Sequence, residues 1–179
     1  AVFGGFNGYT FHKDGRVTVE PVNISDGALM ELQNNMFLFY LNKNRSAGDI
    51  LKVQNKKTKN NDKAVVQRLK RIKEIGLHTK KILEKDRINE FGELLHEHWL
   101  VKKGISDKIS DPLIDEIYEC AINNGALGGK VIGAGGGGFL LFYCPYEKSK
   151  FLSVLKKKFG LTPTWFSFER EGVKTGFYN

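Results

Sequence analysis

Eight of the 20 glycines in this 179-residue chain fall between Gly125 and Gly138. The run reads Gly125-Ala-Leu-Gly128-Gly129-Lys130-Val-Ile-Gly133-Ala-Gly135-Gly136-Gly137-Gly138-Phe139. Backbone without side chains can take positive φ and approach a ligand closely. Its successive N–H groups can form a nest for an anion. Ordering such a stretch costs much conformational entropy, which a mere connection has no reason to bear. Phosphate binding is the chemistry this suggests, and a tight turn entering a strand is the plainer alternative.

Two known glycine motifs fit the letters but not the context. Gly133, Gly135 and Gly138 match G-x-G-x-x-G, but the dinucleotide fingerprint needs a strand before the loop and a helix after it. Here helical periodicity precedes the loop and the apolar run Phe139 to Cys144 follows it. The Walker A pattern must end in Gly-Lys-Ser/Thr, whereas Gly138 is followed by Phe139.

Several cations could serve a phosphate. Arg45 has the fork for bidentate binding. Lys102 and Lys103 end a helical segment, and Lys130 precedes the loop. Each also reads simply as a surface ion pair or a solvated side chain. His96, Trp99 and Lys103 share one helix face at i, i+3 and i+7. His96 reads first as a hydrogen-bonded structural histidine, with a substrate contact as the alternative. Trp99 reads as packing, and His98 as core or surface. No His, Cys and carboxylate residues carry the spacing of a structural metal site.

The elements that must position these residues follow from pattern. The first 22 residues read as two strands, Phe3 to Phe11 and Val17 to Glu20, around an Asp14-Gly15 turn. Met36 to Leu41 reads as a strand buried on both faces. Helices are expected over about 46–55, 62–83 and 88–103. Asp111 as N-cap and Pro112 at the first helical position open another, which Asn123-Asn124-Gly125 ends. After the glycine loop come a strand over 139–144, a helix from Pro145 to about Gly160, and a strand over 164–168. Strands and helices are segregated, so the fold class is α+β: an antiparallel sheet with helices packed on it. The final strand–helix–strand could be half of a split βαβ unit.

Composition narrows the classes. Hydrophobic residues make up 41% and charged residues 27%, as in a globular domain. The longest apolar run is short and no signal peptide is visible, so no membrane is expected. Cys120 and Cys144 make no disulfide framework, and a reduced, cytoplasmic setting is the simplest reading. The net charge is +8, and residues 52–87 alone hold 13 Lys and Arg against four acids. Val65, Leu69, Ile72, Ile75, Ile82 and Leu83 recur there at helical spacing, so the lysines occupy an outer face. No aromatic residues interleave with them as nucleic-acid stacking would need, so no nucleic-acid partner is expected.

Taken in order, these landmarks resemble the C-terminal portion of the GHMP small-molecule kinases, whose third motif is a glycine loop of this form. The sugar-phosphate branch is suggested by Phe3-Gly4-Gly5-Phe6-Asn7, by Phe37 to Tyr40 with Arg45-Ser46-Ala47, by His96 to Leu100 with Lys102-Lys103, and by Gly125 to Phe139. The resemblance spans nearly the whole chain. It implies a GHMP kinase C-terminal (ferredoxin-like) domain over residues 1–179. It further implies a separate N-terminal domain with a Gly-Leu-Gly-Ser-Ser phosphate loop and a carboxylate, neither of which this sequence contains. The chain then reads as the C-terminal half of a kinase, inactive alone. The implied reaction transfers phosphate from ATP, with Mg2+ held mostly by the other half, to the anomeric hydroxyl of a heptose 7-phosphate. The loop Gly133, Ala134, Gly135, Gly136, Gly137 and Gly138 would lie by the moving phosphoryl group, and no residue here would be a base. A fucose-type sugar kinase and a non-catalytic sugar-phosphate module are the alternatives.

Overall fold

The structure is a computed structural model and describes residues 3–43, 47–60, 62–174 and 176. The expected hairpin forms from β1 (Asn7–Phe11) and β2 (Val17–Pro21), paired antiparallel with Asn7 opposite Pro21. Gly15, in the turn, has φ of 86°, which glycine tolerates without strain. Residues 3–6 do not join the strand. Gly4 and Gly5 both have positive φ, and the Gly5 N–H bonds the Glu169 carbonyl instead.

The second sheet holds the site. Its strands are β3 (Met36–Tyr40), β4 (Gly128–Val131), β5 (Phe139–Tyr143) and β6 (Pro163–Thr164). Their order is β4-β5-β3-β6, with every neighbour antiparallel. β3 therefore lies between β5 and β6, which are joined by helix α6 (Lys148–Phe159). Likewise β5 lies between β3 and β4, which are joined through the helical block. Two interleaved split crossovers of this kind make the ferredoxin-like arrangement.

The remaining helices are α1 (Asp26–Asn35), α2 (Ala47–Lys59), α3 (Lys63–Leu83), α4 (Ile88–Lys103) and α5 (Pro112–Ile122). Asp111 caps α5 as expected, its carboxylate accepting from the N–H groups of Leu113 and Ile114. Gly160, in the left-handed region, closes α6. The basic stretch lies on α2 and α3. Val65, Ile75, Ile82 and Leu83 of α3 turn inward, while Arg71 and Lys80 form exposed ion pairs with Glu97 and Glu20.

Adjacent strand residues point to opposite faces, and the core divides accordingly. Phe142 joins Phe39, Trp99, Tyr118 and Phe151 in the larger cluster. Tyr143 joins Leu32, Ile88 and Leu95 in the smaller one. β3 is not buried throughout, since only Phe39 is fully enclosed and Tyr40 is exposed. The last strand is shorter than 164–168. Beyond Thr164 the side chain of Gln33 takes over, its amide donating to the Phe166 carbonyl and accepting from the Phe168 N–H.

Candidate functional site

The glycine run divides into two parts with different work. Gly128 and Gly129 are not loop but strand, and they let β4 lie against the backbone of α4. A Cβ on Gly128 would fall 2.0 Å from the Gly92 carbonyl oxygen and 2.6 Å from the His96 nitrogen. No side chain fits there.

Gly133 to Gly138 is the loop proper, joining β4 to β5. Gly133, Gly135, Gly136, Gly137 and Gly138 all have positive φ. The loop is laced to two neighbouring segments. The Gly136 N–H donates to the Ile109 carbonyl at 2.8 Å, and the Gly138 N–H to the Lys43 carbonyl at 2.7 Å. The Gly138 carbonyl in turn accepts from the Leu41 N–H at 2.9 Å. Added side chains would strike the same supports. A Cβ on Gly137 would lie 2.4 Å from the Lys43 oxygen, and one on Gly135 would lie 3.0 Å from the Ile109 oxygen. Among the described residues, the N–H groups of Gly133, Ala134, Gly135 and Gly137 meet no acceptor. Donors left over in an ordered, partly open loop suit an anion.

Two of the expected cations stand beside this loop. Lys102, on the last turn of α4, donates from Nζ to the Gly133 carbonyl at 2.6 Å. Burial, with the charge of Lys130 second, brings its pKa down to about 8. Burial also lowers Lys130 on β4. His98 belongs to the same group: burial first, then Lys130 and Lys102, push it down to about 4. Its Nδ1 is buried and meets no hydrogen-bond partner among the described residues. Perturbed titratable groups gathered in one place are a mark of a functional site. Only tertiary packing reveals His98, which carries no signal in the sequence beyond its type.

The other expected residues are engaged elsewhere. The His96 ring stacks on Tyr118 and its Nδ1 meets the Tyr118 hydroxyl at 2.9 Å. Lys103 pairs with Asp115 at 2.7 Å. Trp99 is fully buried. That helix face is the seam between α4 and α5. Arg45 lies outside the described residues. Both cysteine thiols are free. Among the described residues, no group of three His, Cys, Asp or Glu side chains could hold a metal ion, and no helix is long and apolar enough to cross a membrane.

Comparison with known proteins points the same way. Residues 79–160, which include α4, α5, β4, the loop and β5, match the family described as GHMP kinases C terminal. The whole chain is 36% identical, over 98% of its length, to a D-glycero-alpha-D-manno-heptose 7-phosphate kinase from Campylobacter jejuni. It spans 51% of that relative, about half. A crystal structure of a D-glycero-D-manno-heptose 1-phosphate kinase from Bacteriodes thetaiotaomicron is 26% identical with a TM-score of 0.63, over 95% of this chain and 44% of that one. Leishmania major mevalonate kinase shares the fold, with a TM-score of 0.70 at 17% identity over 97% of this chain and 51% of that one. The GHMP kinase C-terminal fold, α+β with its antiparallel sheet, thus extends across the chain.

Proposed function

We propose that this chain is the C-terminal half of an ATP-dependent sugar-phosphate kinase. Its reaction is transfer of a phosphoryl group to the anomeric hydroxyl of D-glycero-D-manno-heptose 7-phosphate, giving the 1,7-bisphosphate. The observation that carries this reading is the loop Gly133 to Gly138, four of whose backbone donors are unused, set beside Lys102 and Lys130. Similarity to the Campylobacter heptose 7-phosphate kinase over 98% of this chain supports that choice of substrate.

Phosphoryl transfer asks a protein mainly for positioning and for stabilisation of charge on the moving group. Backbone N–H groups fixed in advance meet both needs, since they require no reorganisation when charge develops. Ala134, Gly135 and Gly137 would offer those donors to phosphate oxygens. Lys102 and Lys130 would add positive charge, one carried on α4 and the other on β4. ATP with Mg2+ supplies the phosphoryl group when bound, and the residues that ligate the ion belong to the other half of the enzyme. The carboxylate that orients the attacking hydroxyl belongs there too, along with the Gly-Leu-Gly-Ser-Ser loop. This chain alone is therefore expected to turn over no ATP.

Gly136 tests the loop. Its N–H is tied to Ile109 and its φ is positive, so a β-branched residue must break that geometry. Gly136→Val in the full-length enzyme is expected to lower kcat about a hundredfold, as loss of an oxyanion donor does, with the circular dichroism spectrum unchanged. Unaltered kinetics would make the loop only a turn.

A further inference from the structure

The loop's donors are useful only if the loop holds still. Five of its six residues are glycine, the residue that loses most freedom on ordering. Its conformation depends on two backbone acceptors, the carbonyls of Ile109 and Lys43. These come from different segments. Lys43 follows β3, and Ile109 precedes α5. Nothing in the covalent chain fixes their separation, because 65 residues lie between them.

Among the described residues, a side-chain contact joins the two posts. Lys43 Nζ bonds Asp111 Oδ2 in a partly buried ion pair, with the Asp111 side chain only 11% exposed. Asp111 is itself fixed, since its other oxygen caps α5 by accepting from Leu113 and Ile114 at 3.1 Å each. Ile109, two residues earlier, is buried. The rigid start of α5 therefore holds one post directly and the other through Lys43. Between them the loop has no slack, as the Gly135 and Gly137 contacts show.

We infer that the Lys43–Asp111 pair is a positioning clamp that sets the glycine loop in its anion-binding conformation. Neither residue needs to touch substrate. The inference rests on the proposed function only for its catalytic consequence, because the mechanical claim concerns this chain by itself.

Amide hydrogen exchange of the 179-residue chain, read residue by residue by NMR, tests the clamp. Lys43→Met removes the bridge. Asp111→Asn removes the charge but keeps a good helix cap. Both are expected to speed exchange at Gly136 and Gly138 about tenfold, while the core amides of Leu140 and Phe142 stay unchanged. Lys43→Arg should restore protection. Unchanged exchange at Gly136 and Gly138 in folded Lys43→Met and Asp111→Asn proteins would overturn the clamp. Loss of protection at Leu140 and Phe142 as well would overturn it too, by making the pair a general support of the fold. In the full-length enzyme, Lys43→Met should lower kcat about tenfold with little change in the sugar phosphate KM. Wild-type enzyme without kinase activity would instead sink the functional reading and leave the exchange result standing.

Discussion

At the residue scale, Lys102 carries the sharpest consequence. Burial and the neighbouring Lys130 hold its pKa at about 8, below the ordinary lysine value of 10.5. The ammonium is thus present below about pH 8 and is lost as pH rises through it. A sugar phosphate is already doubly charged above about pH 7, so the ligand does not titrate in that range. Its dissociation constant, followed by calorimetry, is expected to rise about tenfold between pH 7 and pH 9, the effect of losing one charged hydrogen bond. Lys102→Gln should flatten that profile. A flat profile in the unmodified protein would remove Lys102 from the site. Residue type and sequence position put Lys102 and Lys130 among the candidates, together with Arg45, Lys103 and His96. They did not separate Lys102 from Lys103, one residue on, because only the packing of α4 against α5 turns Lys103 toward Asp115. Lys43 gives no hint in the sequence, since its partner Asp111 lies 68 residues away.

At the element scale, the two glycine groups should fail in different ways. Gly128→Ala must push β4 off α4, because its Cβ has only 2.0 Å to the Gly92 oxygen. Overpacking of this kind costs about 1–3 kcal/mol, and backbone cannot swing aside as a flexible side chain would. A Cβ at Gly133 meets nothing within 4 Å, so Gly133→Ala should cost about 1–2 kcal/mol at most, from its positive φ. Urea titration of both variants gives the comparison, and equal midpoints would show that the strand glycines are not packing residues. The long helices are legible from their apolar period, and α4 matches its expected limits, 88–103, although no side chain caps its start. α1 was missed: its ten residues include Gly27 and the run Gln33-Asn34-Asn35, which weaken the periodic signal. Its one clear mark is Ser25, whose hydroxyl accepts from the Ala28 N–H. β4 was hidden for a related reason. Gly128-Gly129-Lys130-Val131 has poor strand propensity, and it is a strand because β5 and α4 leave it no other path.

At the whole-molecule scale, the sequence already implied an antiparallel α+β domain, and the sheet order resolves it into two interleaved crossovers that bring β4, the loop and β5 beside α4. The chain covers about half of the Campylobacter kinase it resembles, and the proposed activity needs both halves. The direct measurement is 31P NMR of the full-length enzyme incubated with MgATP and D-glycero-D-manno-heptose 7-phosphate. The expected result is a new anomeric phosphate resonance growing as ATP is consumed, with unphosphorylated heptose and fucose converted far more slowly. Equal use of those unphosphorylated sugars, or ATP consumption with no bisphosphate formed, would contradict a sugar-phosphate kinase.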